Sequence, residues 1–258
     1  MRALAILACC LLLSATAGGV RAQSLQVSVE GQVHQPGART LPAGTRLAEV
    51  VLAARPTADA YLLGASLLRR HAQGEQVRMK AGLLYDLQAL AAGAATPPAV
   101  AARATVLATW LDTLPASGRV RTELDPRRLE IDPASNHLLA DGDRIVYPPR
   151  PTTIQVVGAV QAPCVLAHVP LRDAAEYLRE CAPDAASADR DTLFVIQPDG
   201  EVQVLGIALW NRAAPQALAP GAILYVPLAP RALQALAPDF NRQLADFLAK
   251  LPVTAEAR

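Results

Sequence analysis

A motif that occurs twice constrains this chain more than any other feature. Val27-x-Val29-x-Gly31-x-Val33-x-x-Pro36 returns as Ile154-x-Val156-x-Gly158-x-Val160-x-x-Pro163. In each copy apolar residues alternate at period two, as a half-buried strand requires, and the strand then meets a turn. Pro36-Gly37 suits the central positions of a type II turn, the second of which needs positive φ. Cys164 stands at that place in the later copy, so a type I turn is expected there. A helix follows each hairpin. Thr45 is placed to cap one that carries Leu47, Val50, Val51 and Ala54 on one face; Leu171, Ala174, Leu178 and Cys181 make the equivalent stripe. The endings match too: Leu139-Ala140-Asp141-Gly142 leads into Ile145-Val146-Tyr147-Pro148, and Leu218-Ala219-Pro220-Gly221 into Leu224-Tyr225-Val226-Pro227. Agreement at both ends, in order, predicts one supersecondary unit used twice.

The copies differ in length. Gly31 and Gly142 are 111 positions apart, Gly158 and Gly221 only 63, so the first copy carries 48 residues more. The second copy fills the interval with a hairpin: Thr192 to Gln197, the turn Pro198-Asp199-Gly200, then Glu201 to Leu205. Tyr61 to Arg69 and Arg119 to Leu124 are the matching strands of the first copy, although the former also fits a helix. Between them Val77, Leu83, Leu84, Leu87 and Leu90 mark one helical face. Val100, Val106, Leu107, Trp110, Leu111 and Leu114 mark another, beyond the breaker Gly93 to Pro98. A helical pair therefore replaces one hairpin turn. Beyond Pro227, Phe240, Leu244, Phe247, Leu248 and Leu251 form the apolar stripe of a terminal amphipathic helix, with Asp246 and Lys250 as an i,i+4 pair.

The first segment reads as an export signal. Arg2 gives a positive charge, Ala3 to Leu13 is apolar, and Val20-Arg21-Ala22 fits cleavage before Gln23. The apolar run is well short of the roughly 20 residues of a membrane span. Ile6-Leu7-Ala8-Cys9 is loosely similar to a lipobox, but cleavage there would leave too little hydrophobic core for a signal. The expected mature chain is a periplasmic protein with no transmembrane segment. Formal net charge is +1, which gives no electrostatic footprint for nucleic acid.

The unit order, hairpin, helix, hairpin and closing strand, is that of a β-grasp module. The chain resembles the GfcC-type capsule-biosynthesis family over essentially its whole mature length. The resemblance rests on the two Gly-x-Val-x-x-Pro strands, typical of soluble-ligand-binding β-grasp (SLBB-like) modules. It also rests on Leu114-Pro115-Ala116-Ser117-Gly118-Arg119, on the ending at Pro227 and on Asn241. Cys164 departs from the usual glycine, and Ala116-Ser117 are smaller than the Val-Thr expected. The resemblance implies an α+β protein: two tandem β-grasp (ubiquitin-like) domains, the first with a helical insertion, plus a C-terminal amphipathic helix. The divisions are a signal peptide at 1–22, a first domain at 23–150 with its insertion at about 71–117, a second at 151–228, and the helix and tail at 229–258. It further implies a periplasmic accessory of capsule or extracellular polysaccharide export, similar in architecture to part of the Wza-type outer-membrane exporters. Expected partners are polysaccharide or outer-membrane export components.

No enzymatic motif stands out. His34, His71, His137 and His168 are scattered without metal-ligand spacing, and no nucleophile elbow or phosphate loop is present; neither cofactor nor metal is expected. Asp141/Asp143 and Asp189/Asp191 are carboxylate pairs that glycan cleavage could use, but both sit where Asp supports turns. Cys164 and Cys181, in an exported chain, are expected to form a disulfide; with His168 they would make a three-ligand metal set lacking a fourth. Arg119, beside Gly118 where the insertion rejoins the first module, is the ligand-binding candidate: a guanidinium there can hold a carboxylate or phosphate bidentately. The alternative is a local pairing or solvation. Phe240, Leu244, Phe247, Leu248 and Leu251 are the partner-docking candidates, the alternative being that the stripe packs on the chain's own body. The expected role is non-enzymatic; the alternatives are a polysaccharide-modifying enzyme with its site near the insertion, or a small-ligand-binding module.

Overall fold

A computed structural model describes residues 24–253; the expected signal lies outside the described residues. The chain is α+β, with two five-stranded mixed sheets of identical plan. In the first half β1 (Ser24–Gly31) and β2 (Gly37–Pro42) form the hairpin and α1 (Leu47–Ala54) crosses it. Next come β3 (Ser66–Leu68), α2 (Arg70–Ala92), α3 (Pro98–Thr113), β4 (Arg119–Val120), α4 (Pro126–Ile131) and β5 (Arg144–Tyr147). In the second half β6 (Thr153–Gly158), β7 (Cys164–Ala167), α5 (Ala174–Tyr177), β8 (Thr192–Ile196), β9 (Val202–Gly206) and β10 (Ile223–Val226) follow the same course. There α6 (Pro230–Leu233) and α7 (Phe240–Leu248) close the chain.

The sheet orders are β2-β1-β5-β3-β4 and β7-β6-β10-β8-β9. Each opening strand runs parallel to its closing strand and antiparallel to its hairpin mate. The duplication extends to single bonds. Gln32 N–H donates to Tyr147 O and Ala159 N–H to Val226 O, each at 2.8 Å. The repeated glycine explains why the motif cannot vary there. Gly31 and Gly158 have φ of +89° and +101°, and a Cβ on them would lie 2.0 and 2.2 Å from the Tyr147 and Val226 carbonyl oxygens. The strand can lie against its neighbour at that point only without a side chain.

Local chemistry departs from expectation at three places. The α1 cap is not Thr45, whose hydroxyl donates to Pro42 O at 2.8 Å. Instead Asn136 Oδ1 accepts from Ala48 N–H at 3.0 Å and Glu49 accepts from Arg46 N–H at 3.1 Å. In the second half the helix is a single turn, Leu171 is 90% exposed with φ of +61°, and Tyr177 takes the buried place beside Ala174 and Cys181. Tyr61 to Arg69 is mixed, a 3-10 turn at Leu62–Gly64 and then β3.

The helical pair of the first half belongs energetically to the second. Leu83, Leu87 and Leu90 of α2, and Val100, Ala104, Leu107 and Leu111 of α3, are buried in one cluster with the second sheet and with α7. The first sheet has its own core with α1, Leu124 and Leu129. The insertion thus lies across the second module, and Arg103 on α3 pairs with Asp184 there at 3.2 Å. Val77 and Val106 fall outside this contact, each 51% exposed.

The terminal helix corrects a sequence expectation. Phe240, Leu244, Phe247 and Leu248 are buried on the chain's own body, against α2 and β8, and do not form a free docking face; Leu251 is half-buried. Asn241 fastens the helix to the sheet: Oδ1 accepts from the Tyr225 hydroxyl (2.8 Å) and Leu228 N–H (3.0 Å), and Nδ2 donates to Leu228 O (2.8 Å). Burying the stripe removes four large apolar side chains from water, about 1.5–3 kcal/mol each, which internal packing secures without a partner.

Cys164 and Cys181 are joined, with Cα atoms 6.1 Å apart, tying the β7 hairpin to the chain just after α5.

Candidate functional site

The two modules meet in a crease, and Arg119 lies at its centre. Its place is set by the preceding residues. Gly118 has φ of +71°, and a Cβ on it would sit 2.3 Å from Arg69 O, so only glycine lets the returning chain press against the start of α2. Gly118 N–H donates to Gln76 Oε1 at 2.7 Å, and Gly118 O accepts from Arg69 N–H at 2.9 Å. Arg119 then begins β4 with its side chain buried.

The guanidinium reaches three parts of the chain. Nη1 donates to Leu251 O at 2.8 Å; Nη2 donates to Ala65 O at 3.4 Å and to Pro198 O at the tip of the β8–β9 turn. Ser117 Oγ and Gln76 Nε2 donate to Lys250 O at 3.0 and 3.4 Å. The carbonyls just beyond α7, which no helical N–H can satisfy, are therefore closed by side chains of the first module, and the cation among them suits the negative end of the helix. Burial pulls the Arg119 guanidinium down to about 10, while Asp199 nearby opposes the shift; at neutral pH it is charged. The group expected to grip a ligand carboxylate is thus engaged with three main-chain carbonyls.

Other bonds cross the crease. Tyr61 hydroxyl donates to Pro220 O at 2.9 Å, and burial pushes its phenol up to about 12. Arg121 sits 3.8 Å from Asp199 and 3.6 Å from Glu201, both on the second module. Among the described residues, clefts border Arg119 on several sides. One of about 500 Å³ holds Arg121, Glu123, Asp125, Arg128 and Asp199. A second of about 420 Å³ lies towards Glu75 and Lys250. A third, about 600 Å³, is largely apolar, with Leu114, Pro115, Val165, Ile223 and Val253 among its walls.

The carboxylates of the first cleft are held by local structure. Glu123 accepts from the N–H groups of Leu124 (2.9 Å) and Asp125 (2.8 Å) and pairs with Arg128 at 3.3 Å. Asp125 caps α4 through Arg127 N–H, and Asp199 accepts from Glu201 N–H, both at 2.9 Å. The sequence-level pairs have the same character. Asp141 accepts from Gln26 N–H (2.8 Å), while Asp143 accepts from Ala140 N–H (2.9 Å) and meets Arg69 at 3.1 Å. Asp189 accepts from Asp191 N–H at 2.9 Å and from the Thr192 hydroxyl. His168 Nε2 lies 2.8 Å from Leu218 O, and among the described residues no group of three or more His, Cys, Asp or Glu is placed to hold a metal. Sequence reasoning missed Gln76. The available signal was its position seven residues before Leu83, which puts a polar group on the buried stripe of α2.

Comparison with known proteins agrees with this architecture half by half. The model of the N-terminal part of GfcC, a capsule biosynthesis protein, matches residues 22–149, and the model of its C-terminal part matches residues 163–252. The chain belongs to the GfcC capsule biosynthesis family. The first match ends just after β5, and the second begins at Pro163, between β6 and β7 of the second repeat. YjbG of Escherichia coli (strain K12), described as uncharacterized, is 30% identical over 192 residues, which is 74% of this chain and 76% of YjbG. Among the described residues no helix is long and apolar enough to cross a membrane. Membership of a capsule biosynthesis family and the Cys164–Cys181 disulfide fit a periplasmic or extracellular location.

Proposed function

We propose that this chain is a non-enzymatic periplasmic accessory of capsule or extracellular polysaccharide biosynthesis and export, built from two β-grasp modules that bind glycan or an export component. Family membership supplies the process. One observation supports the binding role over a catalytic one: the most buried cation of the crease, and the three carboxylates of the first cleft, are engaged in holding backbone. Glu123 and Asp125 serve a turn and a helix cap, Asp199 a hairpin turn, and Arg119 the end of α7. General acid–base work needs a group free to exchange a proton with substrate. On this reading the crease gives the two modules a fixed mutual geometry, and the clefts along it are recognition surface. A Sec-type signal with cleavage near Ala22 delivers the chain, and the disulfide forms in the oxidising compartment.

The test is genetic and chemical together. Deleting the gene in the native producer is expected to reduce surface polysaccharide. A copy carrying Glu123→Gln and Asp199→Asn is expected to restore it. Restoration by the wild type but not by these isosteric variants, with folding and glycan binding unchanged, would assign the crease to catalysis.

A further inference from the structure

The loop between β9 and β10 displays an aromatic ring in a manner the crease does not require. Trp210 is 77% exposed and Leu209 beside it 89%. The loop is nevertheless well fastened. Ile207 N–H and Asn211 Nδ2 both donate to Asp191 O at 2.9 Å, Ala208 N–H donates to Asn211 Oδ1 at 3.0 Å, and Ala213 N–H donates to Gly206 O at 2.9 Å. A Cβ on Gly206 would lie 1.9 Å from Asn211 O, so the loop folds tightly on itself. The indole N–H is turned to Asp191 Oδ1 at 3.4 Å, which orients the ring while leaving most of its surface in water. A large apolar ring held out on a rigid loop loses little conformational entropy when something stacks on it.

The far arm of the same loop, Arg212–Pro215, borders a cleft of about 450 Å³ against α5. Its charges are unevenly engaged. Asp173 accepts from Gln216 N–H at 2.9 Å, and Glu176 lies 3.9 Å from Arg172. Arg179 and Arg212, both exposed and both lining the cleft, have no carboxylate within ion-pair distance among the described residues. The cleft therefore presents two uncommitted guanidiniums, whose planar forks match carboxylate geometry. Trp210 is two residues from Arg212, so their Cα atoms are within about 7 Å.

We propose that this cleft and loop form a subsite for an acidic sugar residue of a polysaccharide, with Arg179 and Arg212 taking its carboxylate and Trp210 stacking on a ring of the same chain. The subsite rests on the accessory reading above and names the class of glycan it accepts. A flat apolar ring two residues from an uncommitted guanidinium suits a pyranose carrying a carboxylate: the sugar's C–H face covers the indole, and the guanidiniums take the anion in charge-assisted bonds.

The test uses the full mature chain with Trp110→Phe, which leaves Trp210 as the sole tryptophan of the two. Emission is followed while oligogalacturonate, mannuronate oligomers, neutral dextran oligomers and inorganic phosphate are titrated separately. At least one uronate oligomer is expected to shift Trp210 emission saturably, more weakly as salt rises. Arg179→Ala/Arg212→Ala is expected to lower that affinity at least tenfold with unchanged thermal melting. Dextran and phosphate are expected to give no response at the same concentrations. The proposal is overturned if no uronate binds, if the double variant binds as tightly, or if dextran or phosphate binds as well as uronate. Loss of this subsite with surface polysaccharide still dependent on the chain would leave the accessory role standing.

Discussion

Arg119 Nη1 lies 2.8 Å from the carbonyl oxygen of Leu251, joining the strand that follows the helical insertion to the segment that follows the last helix. The same guanidinium holds Ala65 and Pro198, so three segments far apart in sequence depend on one side chain. Arg119→Ala is expected to destabilise the fold by about 2–5 kcal/mol, since buried hydrogen bonds to a charged group are worth about 1.5–3 kcal/mol each and the loss strands carbonyls in the interior. Denaturant unfolding with a lowered midpoint checks this. An unchanged midpoint with weakened glycan binding would return Arg119 to the role of ligand holder.

Removing the chain after Pro227 is expected to abolish cooperative folding of the second module. Phe240, Leu244, Phe247 and Leu248 are buried, and at about 1.5–3 kcal/mol each their loss rivals the whole stability of a domain, about 5–15 kcal/mol. Thermal unfolding of the truncated chain measures it; a sharp transition at the original temperature contradicts the packing described.

Opening the Cys164–Cys181 bond, by reduction or by paired alanine substitution, is expected to cost about 3 kcal/mol for a loop of this size, the separation being 17. Comparing denaturation midpoints with and without reductant is the measurement, and non-reducing peptide mapping locates the pair.

Asp184 links the insertion to the second module through Arg103. A hydrogen bond from the Ser187 hydroxyl, aided by Ala186 N–H and Arg103, holds its carboxyl below the usual range. A carboxylate with a depressed folded pKa stabilises the native state above its unfolded value, and that contribution fades as pH falls through the folded one. Asp184→Asn should therefore be less stable than wild type near neutral pH, with the gap closing in acid. A gap that widens on acidification contradicts the assignment.

Much of the plan was legible because strand alternation and backbone demands leave marks in sequence. Gly31 and Gly158 sit where a Cβ would strike a neighbouring carbonyl, and that demand produced the repeat itself. The sites of the helical pair and of the disulfide followed from periodicity and compartment. What periodicity could not say is which surface a stripe covers. Leu83 and Phe247 each announce a buried face, but that they share one cluster is a matter of tertiary placement. Capping failed for a related reason: the α1 donor is satisfied by Asn136, from far along the chain, and no local pattern contains that bond. At Arg119 the residue was identifiable beside Gly118, whereas its acceptors are carbonyls, which every residue carries and no sequence distinguishes.

The fate of the polysaccharide itself most directly distinguishes binding from catalysis. Purified mature chain is incubated with polysaccharide from the native producer, and bound and free material are separated and analysed for chain length and substituents. Retention of polysaccharide that is unchanged in length and composition is the predicted result. Shortened chains, or gained or lost substituents, that depend on Glu123 or Asp199 would contradict it.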